Sequence, residues 1–223
     1  MRVSKSEKHP LRNKKMKRFL CKTLIFMLLF ALLLPTLSGC ARETDEALLT
    51  TATRLLTESA LVNEICFGAG LSHVADQSEG YLTPGYAEAT EASRAKFGVA
   101  TVQDILDKIR AVYSASAAEA VEGVVFEPVR EGNTVISYRR YFDAEDGEGN
   151  LCLMVKKDYK PLAVGSVSYA NIRIVKHTRS RAEILVDLTV TDGTESRTDK
   201  DVSFPLRYED GWRLDTLTYA SLR

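Results

Sequence analysis

The segment from Arg181 to Thr191 alternates between apolar and polar side chains, and this alternation constrains the fold more than any other feature of the sequence. Its apolar members are Ala182, Ile184, Val186, Leu188 and Val190. A strand with one buried face and one solvated face has this period of two, as in antiparallel sheets. The segment therefore predicts a long antiparallel strand that lines a hydrophobic core.

Strand patterns also occur on both sides of this segment. They cover Thr134–Phe142, Asn150–Lys157, Val167–His177, Lys200–Tyr208 and Gly211–Tyr219. Asp146-Gly147 and Asp210-Gly211 predict hairpin turns because glycine accepts a positive φ. Pro205 cannot donate to a strand ladder, so its strand is expected to lie at an edge or to contain a bulge.

The residues before Thr134 instead have a helical period. Asp45–Cys66 predicts one long amphipathic helix, Thr101 can cap a second, and the capping box Ser116–Glu119 predicts a third. Helices followed by an antiparallel meander predict the α+β class. We expect N-terminal helices packed on a bent antiparallel sheet of five or six strands.

A short apolar run near the start predicts a cleaved leader rather than a membrane span. Leu24–Leu34 contains eleven apolar residues after a basic segment, whereas a spanning helix needs about 20. This is the pattern of a signal peptide over residues 1–39, and translation could also start at Met16. The general secretory alternative leaves Cys40 as an ordinary thiol.

The tetrapeptide Leu37-Ser38-Gly39-Cys40 follows the apolar run. It resembles the lipobox of bacterial lipoproteins, whose cysteine is acylated and becomes the mature N-terminus. The resemblance implies lipidation (palmitate or a similar acyl group) at Cys40, residues 40–44 as a short tether, and residues 45–223 as a single domain. Two acyl chains suffice for stable anchoring, so the domain is expected at the extracytoplasmic face of the cell membrane.

Removal of the leader changes the charge balance. Nine of the 30 Lys and Arg residues but one of the 30 Asp and Glu residues precede Cys40, which leaves a formal charge of −8 on the remainder. A domain of this charge gains nothing from release of phosphate counterions, so nucleic acid is not an expected partner. We expect the lipid anchor to bind the membrane, with a membrane protein or a cell-wall component as a further partner.

Cysteine and histidine are too sparse for a structural metal site. Beyond Cys40 the chain contains only Cys66, Cys152, His73 and His177, and a structural zinc site needs about four clustered ligands. Cys66 and Cys152 could form a disulfide outside the cytoplasm or could be two buried free thiols. No sequence pattern predicts a cofactor, since Gly68-Ala69-Gly70 lacks the third glycine of a dinucleotide loop.

The last third of the chain resembles nuclear transport factor 2-like (SnoaL-like) domains. The resemblance is carried by two long strands, the segment Val202–Tyr208, the turn Glu209-Asp210-Gly211 and the closing Trp212-Arg213-Leu214. It implies a cone in which a curved sheet wraps over helices and leaves a pocket at its open end. Members of this superfamily include isomerases, dehydratases and non-catalytic binding domains, so the fold does not decide the function.

Two polar groups are candidates for ligand binding. Tyr138, Arg139, Arg140 and Tyr141 follow one another on a predicted strand, where an arginine on the concave face could clamp an anionic group. The alternative is a charge-paired solvent face whose tyrosines pack on helices. Trp212, the single tryptophan, could line a pocket or fill the core.

Catalysis would need a carboxylate of raised pKa or a histidine base in the cone. Asp187 and Asp215 are the strand carboxylates available for this role, and His73 and His177 are the available bases. We expect a non-catalytic binding or accessory domain. The alternatives are a cone-pocket isomerase, lyase or hydrolase acting on an exported substrate, and a structural subunit that uses the outer sheet face.

Overall fold

A computed structural model describes residues 43–75, 84–162 and 165–218. From Glu43 onward the chain forms one compact unit in which helices pack against antiparallel sheets. The predicted α+β class is confirmed. Cys40 and the predicted leader lie outside the described residues.

Hydroxyl side chains start all four described helices, which are α1 (Asp45–Cys66), α2 (Glu91–Phe97), α3 (Val102–Val112) and α4 (Ala115–Phe126). Each N-cap oxygen accepts a hydrogen bond from a backbone N–H three residues ahead, as N-cap residues commonly do. The caps are Thr44, Thr90, Thr101 and Ser114. Thr101 forms the complete capping box with Asp104, whereas α4 is capped by Ser114 and not by the predicted Ser116.

The described strands are distributed over three antiparallel sheets. They are β1 (Tyr86–Glu88), β2 (Val129–Glu131), β3 (Thr134–Ser137), β4 (Tyr141–Glu145), β5 (Leu151–Lys156), β6 (Ser166–His177), β7 (Arg181–Asp192), β8 (Glu195–Tyr208) and β9 (Trp212–Leu214). The sheet orders are β1-β5-β4, β2-β3 and β6-β7-β8-β9. The predicted strand over Thr134–Phe142 is in fact two strands in two sheets, because the chain turns at 138–140.

The four-stranded sheet bends at a pair of irregular positions. Asn171 on β6 and Asp201 on β8 both have a left-handed backbone, with φ of 51° and 58°. The pairing of β6 with β7 changes register between Ala170 and Arg173, beside Asn171. The pairing of β7 with β8 changes register between Val186 and Leu188, opposite Asp201. Bulges of this kind bend a strand and increase its twist, so the sheet curves around the helices.

Helix α1 crosses the inner face of this sheet antiparallel to β6. Asp45 at its start contacts His177 at the end of β6, and residues near its C-terminus line one groove with the start of β6. The apolar face of β7 lies beneath it in a continuous core that includes Leu48, Leu55, Ile105, Ile109, Ile184 and Val186. We call the end of the sheet that carries the turns Thr178–Ser180 and Glu209–Gly211 the Trp212 end. The opposite end, at the C-terminus of α1, is the Arg140 end.

Candidate functional site

Arg140 is the most deeply buried charged residue among the described residues, with 1% of its surface exposed. It lies between β3 and β4, where its backbone N–H donates to Val125 O and its carbonyl accepts from Lys156 N–H, each at 3.0 Å. These two bonds fix the backbone on both sides of the chain turn. The side chain is thereby directed beneath the C-terminus of α1.

The guanidinium of Arg140 is only partly satisfied. Its Nη2 donates to the Gly68 carbonyl at 2.8 Å, and its carbon lies 3.9 Å from the centre of the Tyr159 ring and 5.2 Å from that of Tyr141. Nε and Nη1 have no hydrogen-bond partner in the described part of the chain. A cation suits the negative end of a helix dipole, but two unpaired buried donors are costly. Two donor nitrogens of Arg140 are therefore buried without a partner among the described residues.

Tyr141 and Gly70 complete this cluster. The Tyr141 hydroxyl donates to Ile65 O at 2.8 Å and accepts from Leu71 N–H at 3.3 Å. Gly70 has a φ of +68°, and a Cβ there would lie 2.1 Å from Arg140 Nη2, so a side chain at this position would displace the guanidinium. Burial raises the pKa of Tyr141 to about 12, although the positive charge of Arg140 lowers it. The hydroxyl is therefore a neutral hydrogen-bonding group at ordinary pH.

The five predicted ligand-binding residues do not form one site. Tyr138 stacks on Phe142 at 4.2 Å in a separate apolar cluster, and Arg139 is exposed to solvent. Strand alternation would have put Arg140 and Tyr141 on opposite faces. Because the chain turns at 138–140, the two residues instead lie together under α1, and Trp212 lies at the opposite end of the sheet.

Trp212 fixes the beginning of the described chain to the sheet. Its indole Nε1 donates to a Glu43 carboxylate oxygen at 2.5 Å, and its ring packs edge-on against His177 at 5.6 Å and Tyr208 at 5.5 Å. His177 Nδ1 lies 2.6 Å from an Asp45 carboxylate oxygen. Glu43 and Thr44, which the sequence pattern places in the tether over residues 40–44, therefore contact the domain, since Glu43 binds Trp212 and Thr44 caps α1.

A buried polar network that the sequence did not predict joins α1, the end of α3 and the C-terminal segment. Tyr113 donates to Asn63 Oδ1 at 2.9 Å, and Asn63 Nδ2 donates to the Thr218 hydroxyl at 3.0 Å. The Thr218 hydroxyl donates to Ser59 at 2.8 Å, and Ser59 donates to the Leu56 carbonyl at 2.7 Å. These side chains satisfy one another, so the polar groups in this part of the interior are already paired. Burial raises the pKa of Tyr113.

The two candidate catalytic carboxylates are occupied by other groups. For Asp215, burial alone would raise the pKa, but hydrogen bonds from Arg207 and Ser114 and the charge of Arg207 outweigh it and lower the pKa. For Asp187, hydrogen bonds from the Asn171 side chain and the Asp201 backbone lower the pKa. A general base of the isomerase type needs the opposite shift. His73 pairs with Ala89 in an isolated antiparallel bridge, outside the four-stranded sheet that contains Asp187.

A groove follows the C-terminal half of α1. It has a volume of about 530 Å³ and is lined mainly by apolar surface from α1, α2 and the start of β6, with Leu61, Phe97 and Val167 among its residues. The Glu58, Glu64 and Lys96 side chains supply its charged groups. Gly68, whose carbonyl accepts from Arg140, also lines this groove, whereas Arg140, Tyr141 and Tyr159 do not.

Cys66 and Cys152 are both free and buried. They do not form the disulfide considered from the sequence, because Cys66 belongs to the main core and Cys152 to the smaller cluster around Tyr86 and Met154. Burial raises the pKa of the Cys66 thiol to about 12. Within the described ranges no group of three or more His, Cys, Asp or Glu side chains is placed to hold a metal ion, and no helix is both long and apolar enough to cross a membrane.

No protein-family model matches the sequence, and no curated protein shows significant similarity to it.

Proposed function

We propose that this chain is an exported bacterial lipoprotein, held at the outer face of the membrane by acyl groups on Cys40, whose domain is a non-catalytic binding or accessory module. The observation that carries the anchoring is the sequence Leu37-Ser38-Gly39-Cys40 after an apolar run too short to span a bilayer. Glu43, three positions later, is bound to Trp212 of the domain.

The domain's interior supports a binding or accessory role over catalysis. Asn63, Tyr113 and Thr218 bond to one another, and Asp215 is held by Arg207 and Ser114. A reacting group needs a free proton donor or acceptor in reach of a substrate. Groups already paired in this way serve to connect the helices to the sheet.

The Arg140 cluster supports a small anionic group as the ligand. Two buried guanidinium donors, Nε and Nη1, have no partner in the described part of the chain. These two nitrogens lie on different edges of the guanidinium plane, so each would donate to a separate carboxylate or phosphate oxygen. Gly68 and Gly70 leave the backbone close to the guanidinium.

The anchoring is tested by growing the expressing bacterium with a labelled fatty acid and isolating the chain. We expect label in the wild-type protein and none in Cys40→Ala, with the wild-type protein in the membrane fraction. Mass spectrometry of the mature N-terminus should find an acylated Cys40 and no residue of the leader. An unlabelled wild-type chain with an intact leader contradicts the proposal.

A further inference from the structure

We infer that the Trp212 end of the domain is a membrane-contacting surface, and that the tip of the β6–β7 hairpin, formed by Lys176, Arg179 and Arg181, binds the anionic headgroups of the bilayer that holds the anchor. This inference rests on the proposed acylation of Cys40. It adds an orientation and a lipid preference that the anchor alone does not give.

Few residues separate Cys40 from Glu43. Three residue steps separate Cys40 from Glu43, and fully extended they span at most about 11 Å. Glu43 is bound to the Trp212 indole, and Thr44 is the N-cap of α1. Trp212 is therefore held close to the bilayer surface, within a distance similar to the width of one helix.

The tip of the β6–β7 hairpin shares the Trp212 end of the sheet. Trp212 pairs with Tyr208 across β8 and β9, and the Tyr208 N–H donates to Ser180 O at 3.0 Å. Ser180 lies in the turn between β6 and β7, so this hairpin tip is next to the anchored end. The β7–β8 turn at Gly193 and Thr194 lies at the far end of a twelve-residue strand, about 40 Å away.

The tip of the β6–β7 hairpin is positively charged. Lys176, Arg179 and Arg181 are exposed and take part in none of the salt bridges of the described residues. The same end also carries acidic residues. Glu46 and Asp210 are exposed, and the Asp45 side chain is 67% exposed although it contacts His177. Glu43 is bound to Trp212, Glu209 accepts from the Ala115 N–H, and Asp215 is held by Arg207. The domain as a whole carries a net negative charge and is repelled by an anionic surface. The hairpin tip, with three cations and no acid from 176 to 181, is the part that such a surface attracts.

Tyr208 adds an interfacial side chain beside the cations. It is 51% exposed although it is a large aromatic residue, and its ring packs edge-on against Trp212. Tyrosine is enriched where apolar and aqueous phases meet because one end of its ring is apolar and the other is polar. Each cation near an anionic surface favours the contacting orientation by roughly fivefold.

The test uses the full acylated protein with one engineered thiol, Ser180→Cys, labelled with an environment-sensitive fluorophore. Ser180 uses only its backbone carbonyl in the contact with Tyr208, and Cys66 and Cys152 are buried, so the label is directed to the hairpin. Thr194→Cys at the opposite end of β7 is the matched control, and protein without an added cysteine measures background labelling.

The labelled proteins are reconstituted in vesicles of phosphatidylcholine alone and of phosphatidylcholine with phosphatidylglycerol. In the anionic vesicles only, we expect the emission of the fluorophore at position 180 to shift to the blue and to be protected from an aqueous quencher. The fluorophore at position 194 should show neither change. High salt should reverse the change. The double variant Lys176→Glu, Arg179→Glu should lower the equilibrium constant for the membrane-contacting orientation by at least about 25-fold. The double variant Lys157→Glu, Lys160→Glu should leave that constant unchanged.

Two different failures can be told apart. Protein that carries no acyl group and does not float with the vesicles overturns the proposed function. Protein that is acylated and floats, but whose label at position 180 is insensitive to lipid charge or responds as at position 194, overturns the membrane-contacting surface and leaves the anchoring intact.

Discussion

The Asp187 carboxylate accepts a hydrogen bond from the Asn171 side-chain amide at 2.7 Å and another from the Asp201 backbone N–H at 3.3 Å. It therefore joins the two left-handed residues at which β6 and β8 are irregular. Its place on a predicted strand made Asp187 a candidate catalytic carboxylate. Its geometry instead makes it the residue that holds the bend of the sheet in place.

The bend gives a prediction at Asn171, whose φ is 51°. Asn171→Ala should destabilise the domain by about 1–2 kcal/mol, because alanine tolerates the left-handed region poorly and lacks the amide donor. Asn171→Gly also loses the donor but adopts this backbone freely, so it should remain within about 0.5 kcal/mol of wild type. Urea unfolding of the three proteins measures the difference. Equal destabilisation by both variants would contradict a backbone cause.

The hydroxyl of Tyr113 gives a second prediction. Tyr113→Phe removes the donor to Asn63 Oδ1 and leaves that buried acceptor unpaired, which typically costs about 1–3 kcal/mol. Tyr208→Phe is the control, because the Tyr208 side chain is 51% exposed and should change stability little. Denaturant midpoints of the two variants report the comparison. Similar midpoints would mean that the network contributes nothing beyond packing.

Sequence periodicity predicted the long elements well. The predicted helix starts at Asp45 and the predicted strand starts at Arg181 in the structure as well. An apolar pattern that continues over many residues matches either the helical or the strand period, but not both. Pro205 was expected at a sheet edge or a bulge. It lies on β8 just beyond the pairing with β9, where β8 becomes an edge of the sheet. The short strands β1 and β2 were missed, since three residues carry no period.

The candidate site could not be predicted from the sequence for a different reason. Arg140 was recognised as a polar candidate, but its burial depends on a chain turn at 138–140 and on the Gly68 carbonyl 72 positions away. Contacts of this separation leave no local pattern. The network of Asn63, Tyr113 and Thr218 was missed in the same way, because each residue alone is compatible with an exposed position.

Alkaline pH should destabilise the domain partly through Cys66. The thiol pKa is about 12 in the folded protein and 9.0 ordinarily. Between these values the unfolded chain releases a proton that the folded chain retains, so stability falls as pH rises, by at most about 1.4 kcal/mol per pH unit for this group.

The variant Cys66→Ala should therefore show a shallower loss of unfolding free energy from pH 8 to pH 10.5 than wild type. Val62→Ala, another buried position on α1, makes a cavity without removing a titrating group and should keep the wild-type slope. The slopes come from urea unfolding at several pH values. A Cys66→Ala slope equal to the other two would show that the thiol does not titrate as expected.

Asp215 should contribute stability with the opposite dependence on pH. Its pKa is lowered below the ordinary 3.8, with burial opposing the shift and Arg207 and Ser114 causing it. The contribution is present above that ordinary value and is lost as pH falls through the folded-state pKa. Asp215→Asn should cost about 1 kcal/mol at pH 7, a figure reduced for the solvent exposure of Arg207.

The cost of Asp215→Asn should disappear in acid, where the wild-type carboxyl is protonated as well. Asp210→Asn is the control, because Asp210 lies in an exposed turn with a φ of 52° that asparagine also accepts. Unfolding free energies at pH 7 and below pH 3 make the comparison. A cost at acidic pH as large as that at pH 7 would assign the effect to packing.

Replacement of Arg140 separates a structural from a binding role. Arg140→Met loses a charged hydrogen bond to Gly68, worth about 1.5–3 kcal/mol, but also removes two unpaired buried donors that each cost about 1–3 kcal/mol. We expect the two effects to cancel to within about 2 kcal/mol in urea unfolding. Inorganic phosphate should then raise the melting temperature of wild type and of Arg139→Met, the exposed neighbour, more than that of Arg140→Met. Equal phosphate effects in all three proteins, or a loss above about 4 kcal/mol in Arg140→Met, would identify the guanidinium as a helix cap and exclude the anion site.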